Sequence, residues 1–96
     1  MEFDEAVSGH LDHLTARERS LVFDAIGAQL VHQPLVETRN RKRLRPNPLA
    51  EWELRVQNLR VFYEVTATNV VRITGIGRKR GNVVIMGGKE LRLWNR

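Results

Sequence analysis

Near residue 51 the hydrophobic pattern of the chain changes from helical spacing to strict alternation, and this single switch limits the folds open to it. Upstream, Phe3, Val7, Leu11 and Leu14 recur at helical spacing. Thr15-Ala16-Arg17-Glu18 then reads as a capping box opening a second helix, with Val22, Ala25, Ile26, Gln29 and Leu30 on one face. Downstream, Trp52, Leu54 and Val56 alternate with Glu51, Glu53 and Arg55, and Leu59, Val61, Tyr63 and Val65 alternate with Arg60, Phe62 and Glu64. Gln57-Asn58 fits a two-residue hairpin turn that sets Val56 opposite Leu59, Arg55 opposite Arg60, Glu53 opposite Phe62 and Trp52 opposite Tyr63. A turn over residues 66–69 leads to a third strand over 70–76, and a fourth is expected over 83–86. Helices first and strands after predict an α+β fold: an N-terminal helical hairpin packed on a small antiparallel β-sheet.

Pro34 is expected to stop the second helix near Gln33, because it lacks an N–H and restricts the residue before it. Residues 35–50 form a basic connector with room for one short strand, ending in Pro46-Asn47-Pro48. Ninety-six residues suit one domain, 1–96, with a single small core. No repeat, low-complexity tract or apolar run long enough for a membrane helix interrupts the sequence. Zero cysteines exclude disulfides, thiolate zinc sites and cysteine nucleophiles, and with no signal-peptide pattern a cytoplasmic location is expected.

Charge is unevenly spread. Residues 1–33 hold two basic and six acidic groups, whereas residues 34–96 hold fourteen basic and five acidic ones, a net +9. Thirteen of the sixteen cations are arginine, whose planar fork grips a phosphate in two places at once. Nucleic acid is therefore the leading partner; solubility, or pairing with an acidic protein, is the plainer explanation of the same charge. Arg39, Arg41, Lys42, Arg43 and Arg45 are expected to supply sequence-independent phosphate contact to RNA or ribosome, joined by Arg80.

The opposed Arg55 and Arg60 are the most specific local feature. Like charges facing each other on a sheet destabilise it, so something must compensate. An anionic ligand would do so, with Arg78-Lys79-Arg80 close by; neutralisation by Glu53 and Glu64 is the alternative. His10, His13 and His32 fall in helical segments and read as packing or surface residues, with no further ligands to suggest a metal.

The run from Glu51 to Val65, followed by Val71-Arg72-Ile73-Thr74-Gly75-Ile76-Gly77-Arg78-Lys79, resembles the RelE/ParE superfamily of toxins from bacterial toxin-antitoxin pairs. The shared pattern is W-x-L-R-V, a turn, R-V-x-Y, and I-G-x-[KR] downstream; with the helical hairpin and basic connector, the resemblance spans roughly residues 3–86. It implies a RelE-like, microbial-ribonuclease-like fold and a ribosome-dependent mRNA endonuclease that represses translation without metal or other cofactor. A ribose 2′-hydroxyl attacks the adjacent phosphate, which requires a base, cations for the phosphorane and an acid for the leaving oxygen.

By that resemblance Arg60 holds the reacting phosphate, Arg55 lies beside it, and Arg78 or Lys79 fills the basic position after the I-G dipeptide. Glu51 and Glu53 stand where the best-known branch has two lysines, and apolar residues around Ile85 stand where it has a tyrosine or histidine. Glu53 is thus a candidate carboxylate base or, equally, a salt-bridge partner. The ParE branch shares the fold but inhibits DNA gyrase by binding, and a basic module that only binds nucleic acid and antitoxin is a third reading. The expected partners are an acidic antitoxin, mRNA and ribosome, or gyrase in the alternative, with no membrane. The first strand is expected to be very short or missing, leaving an open sheet edge. An amphipathic helix of the antitoxin is expected over the helical hairpin or the basic connector, with Leu91, Leu93 and Trp94 joining that contact or the chain's own core.

Overall fold

A computed structural model describes residues 1–92. The chain enters through a two-residue strand, β1 (Glu2–Phe3), and the short helix α1 (Ala6–Asp12). Phe3 belongs to the strand, not to the helix its spacing suggests. The Asp4 carboxylate accepts the Ala6 N–H at 3.1 Å and so occupies a free donor at the start of α1. Helix α2 (Ala16–Gln29) opens on the expected capping box: the Thr15 hydroxyl accepts the Glu18 N–H at 3.1 Å, and the Glu18 carboxylate accepts the Thr15 N–H at 2.9 Å. It ends four residues earlier than Pro34 alone suggests, at Gln29, whose carbonyl accepts from the Arg41 guanidinium at 2.7 Å.

The remaining strands are β2 (Arg41–Arg43), β3 (Trp52–Val56), β4 (Leu59–Val65), β5 (Val71–Arg80), β6 (Val83–Met86) and β7 (Lys89–Leu91). They pair antiparallel in sequence order, while β1 lies parallel on β5 through Glu2↔Arg72 and Phe3↔Ile73. The β3–β4 register is the one expected, from Trp52↔Tyr63 to Val56↔Leu59. Gln57 takes φ +56° in the connecting turn, the left-handed conformation that a two-residue hairpin loop demands. Strand β5 runs four residues past Ile76, because Arg78, Lys79 and Arg80 pair with β6. The architecture is α+β, and no helix among the described residues is long and apolar enough to cross a membrane.

Side-chain alternation gives the sheet two different faces. On one, Trp52, Leu54, Leu59, Val61, Tyr63, Ile73 and Ile76 are buried under α1 and α2 with Val7, Leu14, Val22, Ile26 and Leu30. There the Tyr63 hydroxyl donates to the Pro34 carbonyl at 2.6 Å, and burial pushes its phenol up to about 12. On the other face, Phe62, Val84, Met86 and Ala50 form a smaller cluster, flanked by Leu44, Leu49 and Leu91. The segment 44–50 can cross that face because Asn47 organises it. Its side-chain amide donates to the carbonyls of Arg45 and Ala50, and its oxygen accepts from the N–H groups of Leu49 and Ala50. A Cβ on Gly77 would sit 2.5 Å from both Met86 Cγ and Val84 Cγ1, so glycine at this position is what lets β6 close over the cluster. Leu91 packs against this cluster; Leu93 and Trp94 lie outside the described residues.

Candidate nucleic-acid interface

The second face continues beyond the small apolar cluster into a group of charges. Glu53, Arg55 and Arg60 all point there, since Glu53 pairs with buried Phe62 and Arg55 pairs with Arg60. The compensation that the opposed arginines require is internal. Arg55 Nε donates to Glu53 at 2.8 Å, and the Glu53 side chain is only 6% exposed against 45% for Arg55. Glu64 does not take part; its register partner is Arg72, farther along the sheet. Arg60 donates through one nitrogen to the carbonyls of Gln57 at 2.9 Å and Leu59 at 2.8 Å. Burial and then Arg55 press its guanidinium below arginine's usual range while Glu53 opposes them, yet an arginine so placed still carries its proton. Arg60 is therefore fixed against the β3–β4 turn with further N–H groups to offer a ligand.

Strand alternation divides the basic residues that the sequence groups together. Lys79 shares the Arg60 face: its cross-strand partner is Val84 of the small cluster, and its N–H donates to the Asn58 carbonyl at 2.7 Å, beside the β3–β4 turn. Arg78 points to the helix side, where its Nε donates to Glu18 at 3.0 Å and a second nitrogen grips the other carboxylate oxygen. Of the two candidates after the I-G dipeptide, only Lys79 joins Arg60. Arg80 follows the parity of Arg78 at the exposed end of β5.

The basic connector divides in the same way. Arg41, expected to contact phosphate, is 8% exposed and donates to the carbonyls of Gln29 at 2.7 Å and Val36 at 3.0 Å, closing the end of α2. It is a structural residue, corrected by the burial that strand pairing imposes. Arg43 stacks over the Trp52 ring at 5.8 Å on the helix face. Lys42, between them, pairs with Glu53 and alone of the three β2 residues faces the arginine pair. Arg39 and Arg45 are exposed in the flanking loops. The signal that separates these residues is the alternation of Arg-Lys-Arg itself, usable once the segment is known to be a strand.

Beyond segment 44–50 lies an open cleft of about 640 Å³ bordered by Asp4, His10, Leu49, Arg72 and Met86. Two of its charges satisfy each other. Arg72 donates to Asp4 at 2.9 Å, and the Ala6 N–H together with Arg72 holds the Asp4 carboxyl below its usual range. His10 is a hydrogen-bonded packing residue, accepting the Ile76 N–H on Nδ1 at 3.3 Å. No cluster of three or more potential metal ligands occurs among the described residues. No protein-family profile, curated protein or solved structure matches the chain, so any family reading rests on the residue pattern and the geometry just described.

Proposed function

We propose that this protein is a toxin of the RelE/ParE type, a metal-independent endoribonuclease that cleaves mRNA at the ribosome and is held silent by an acidic antitoxin. The observation that carries this reading is the cross-strand arginine pair set against a nearly buried carboxylate: Arg55 and Arg60 in register, with Glu53 bound to Arg55 at 2.8 Å. Glu53, Arg60 and Lys79 stand on three successive strands of one face. A phosphate drawn to Arg60 competes for Arg55, and as Arg55 turns toward it the Glu53 carboxylate is released to accept the 2′-hydroxyl proton. The oxygen so freed attacks phosphorus, the bond to the 5′-oxygen breaks as that oxygen takes up a proton from water, and a 2′,3′-cyclic phosphate remains on the upstream nucleotide. Arg60 stabilises the charge gathering on the phosphorane, where a fixed donor is worth most.

One observation favours a non-cutting toxin that binds gyrase: the Arg55–Glu53 bond occupies the carboxylate that would serve as base. Two assays after induced expression separate the readings. Primer extension on cellular mRNA should reveal codon-linked breaks, and gyrase supercoiling should proceed unaffected. Intact mRNA with blocked supercoiling would replace the nuclease by the gyrase-binding reading.

A further inference from the structure

Four cations on the second sheet face, Lys42, Arg55, Arg60 and Lys79, lie on four successive strands, β2 to β5. Lys42 pairs with Glu53, two residues before Arg55 in β3; Lys79 lies two residues beyond Gly77, the β5 partner of Arg60. Strands β3 and β5 run in the same direction, so the two offsets are opposite: Lys42 is displaced away from the β3–β4 turn and Lys79 toward it. With a rise of about 3.3 Å per residue and about 4.8 Å between strands, each lysine backbone stands roughly 8 Å from the nearer arginine, on opposite sides of the pair. The four cations thus fall on one diagonal, with the arginines at its centre.

We propose that this diagonal is a track for three consecutive phosphates of a single RNA strand, with Lys42 and Lys79 holding the phosphates on either side of the one at Arg55 and Arg60. The assignment rests on the preceding reading of the arginine pair and adds the direction of the strand, its minimum length and the residues at its ends. Three observations support it. Among the described residues neither Lys42 nor Lys79 is in an ion pair, whereas Arg72 and Arg78 are committed to carboxylates. The carboxylate nearest the line, Glu53, is almost wholly covered and already bound by Arg55, so the exposed surface of the track is cationic. Of the cations nearest the line, Arg41, Arg43 and Arg78 belong to the opposite face, and Lys89, in register with Met86, shares this face but stands two strands beyond Lys79 on β7. A single row of cations matches one backbone; the second backbone of a duplex would meet no second row.

The test uses the full chain with uncleavable probes, 2′-deoxy throughout: a dinucleotide with one internal phosphate and a tetranucleotide with three. In amide NMR titrations the dinucleotide should shift resonances around Arg55 and Arg60 only, and the tetranucleotide should extend the shifts to Lys42 and Lys79. In parallel, Lys42→Ala and Lys79→Ala should each flatten the salt dependence of tetranucleotide binding by about 0.7 in log–log slope, the value of one single-strand contact, and Lys42→Ala should leave the dinucleotide slope unchanged. If Arg60→Ala abolishes the shifts while both lysine variants leave the slope intact, the track is wrong and the arginine site stands. If Arg60→Ala also changes nothing, the site and the track fall together.

Discussion

Arg55 and Arg60 face each other across two strands yet have different structural duties, and their substitutions should separate accordingly. Arg55 neutralises Glu53, whose side chain is 6% exposed, so Arg55→Ala leaves a carboxylate in poor contact with water. Discounted for the exposure of Arg55 itself, the cost should be roughly 1–2 kcal/mol in urea unfolding. Among the described residues Arg60 donates to the Gln57 and Leu59 carbonyls and to no carboxylate, and Arg60→Ala should cost less than Arg55→Ala. The register that sets this pair was legible in the sequence, because Gln57-Asn58 between two alternating runs allows one tight turn. The bond from Arg55 to Glu53, its same-face neighbour within β3, was legible only as one of two explanations for the compensated charge. The roles of Arg78 and Arg41 were not legible at all. Their partners, Glu18 and Gln29, lie 60 and 12 residues away, and no local pattern announces such pairs.

Among the elements, the strands that follow apolar alternation were legible and those held by pairing alone were not. β3 and β4 fall where the alternation puts them, and β6 on the apolar run 83–86. The end of β5 carries Arg78-Lys79-Arg80, and β7 is the polar segment Lys89–Leu91; both exist because β6 offers them a ladder. The I-G dipeptide has its physical reason here: Gly77→Ala should force Val84 and Met86 apart and cost about 1–3 kcal/mol, read as a lower urea midpoint. Helix α1 depends on His10, which fills a gap on the β5 edge between β1 and β6. Nδ1 must be unprotonated to accept the Ile76 N–H, and burial holds the imidazole below its usual 6.5, with Asp4 opposing and His13 adding to the effect. The unfolded chain therefore binds this proton more tightly. Stability contributed by neutral His10 is present above about pH 6.5 and is lost as pH falls through that value toward the lowered one. Asp4 and Glu18, held below carboxylate values of 3.8 and 4.5, lose their contributions only at lower pH. Urea midpoints between pH 7.5 and 5 should decline for the natural chain and stay flatter for His10→Gln; equal slopes would remove His10 from this role.

At the scale of the whole molecule, one sheet serves two purposes. Its helix side buries the main core and absorbs Arg41, Arg43 and Arg78, while its other side presents Lys42, Arg55, Arg60 and Lys79 around a nearly buried glutamate. The charge imbalance of the chain pointed to a polyanion, but only the folded alternation of strands shows which cations share a face. Under the proposed mechanism Arg60 stabilises charge on a reacting phosphate, and the rate of mRNA cleavage on purified ribosomes, measured for the natural chain and Arg60→Ala with chelator present, tests that role. Cleavage should persist with chelator and fall at least ~10²-fold in Arg60→Ala, as when one donor is removed from an oxyanion site, while the thermal midpoint moves little. Undiminished cleavage by a folded Arg60→Ala protein would remove Arg60 from the chemistry, and no cleavage by the natural chain would overturn the nuclease mechanism.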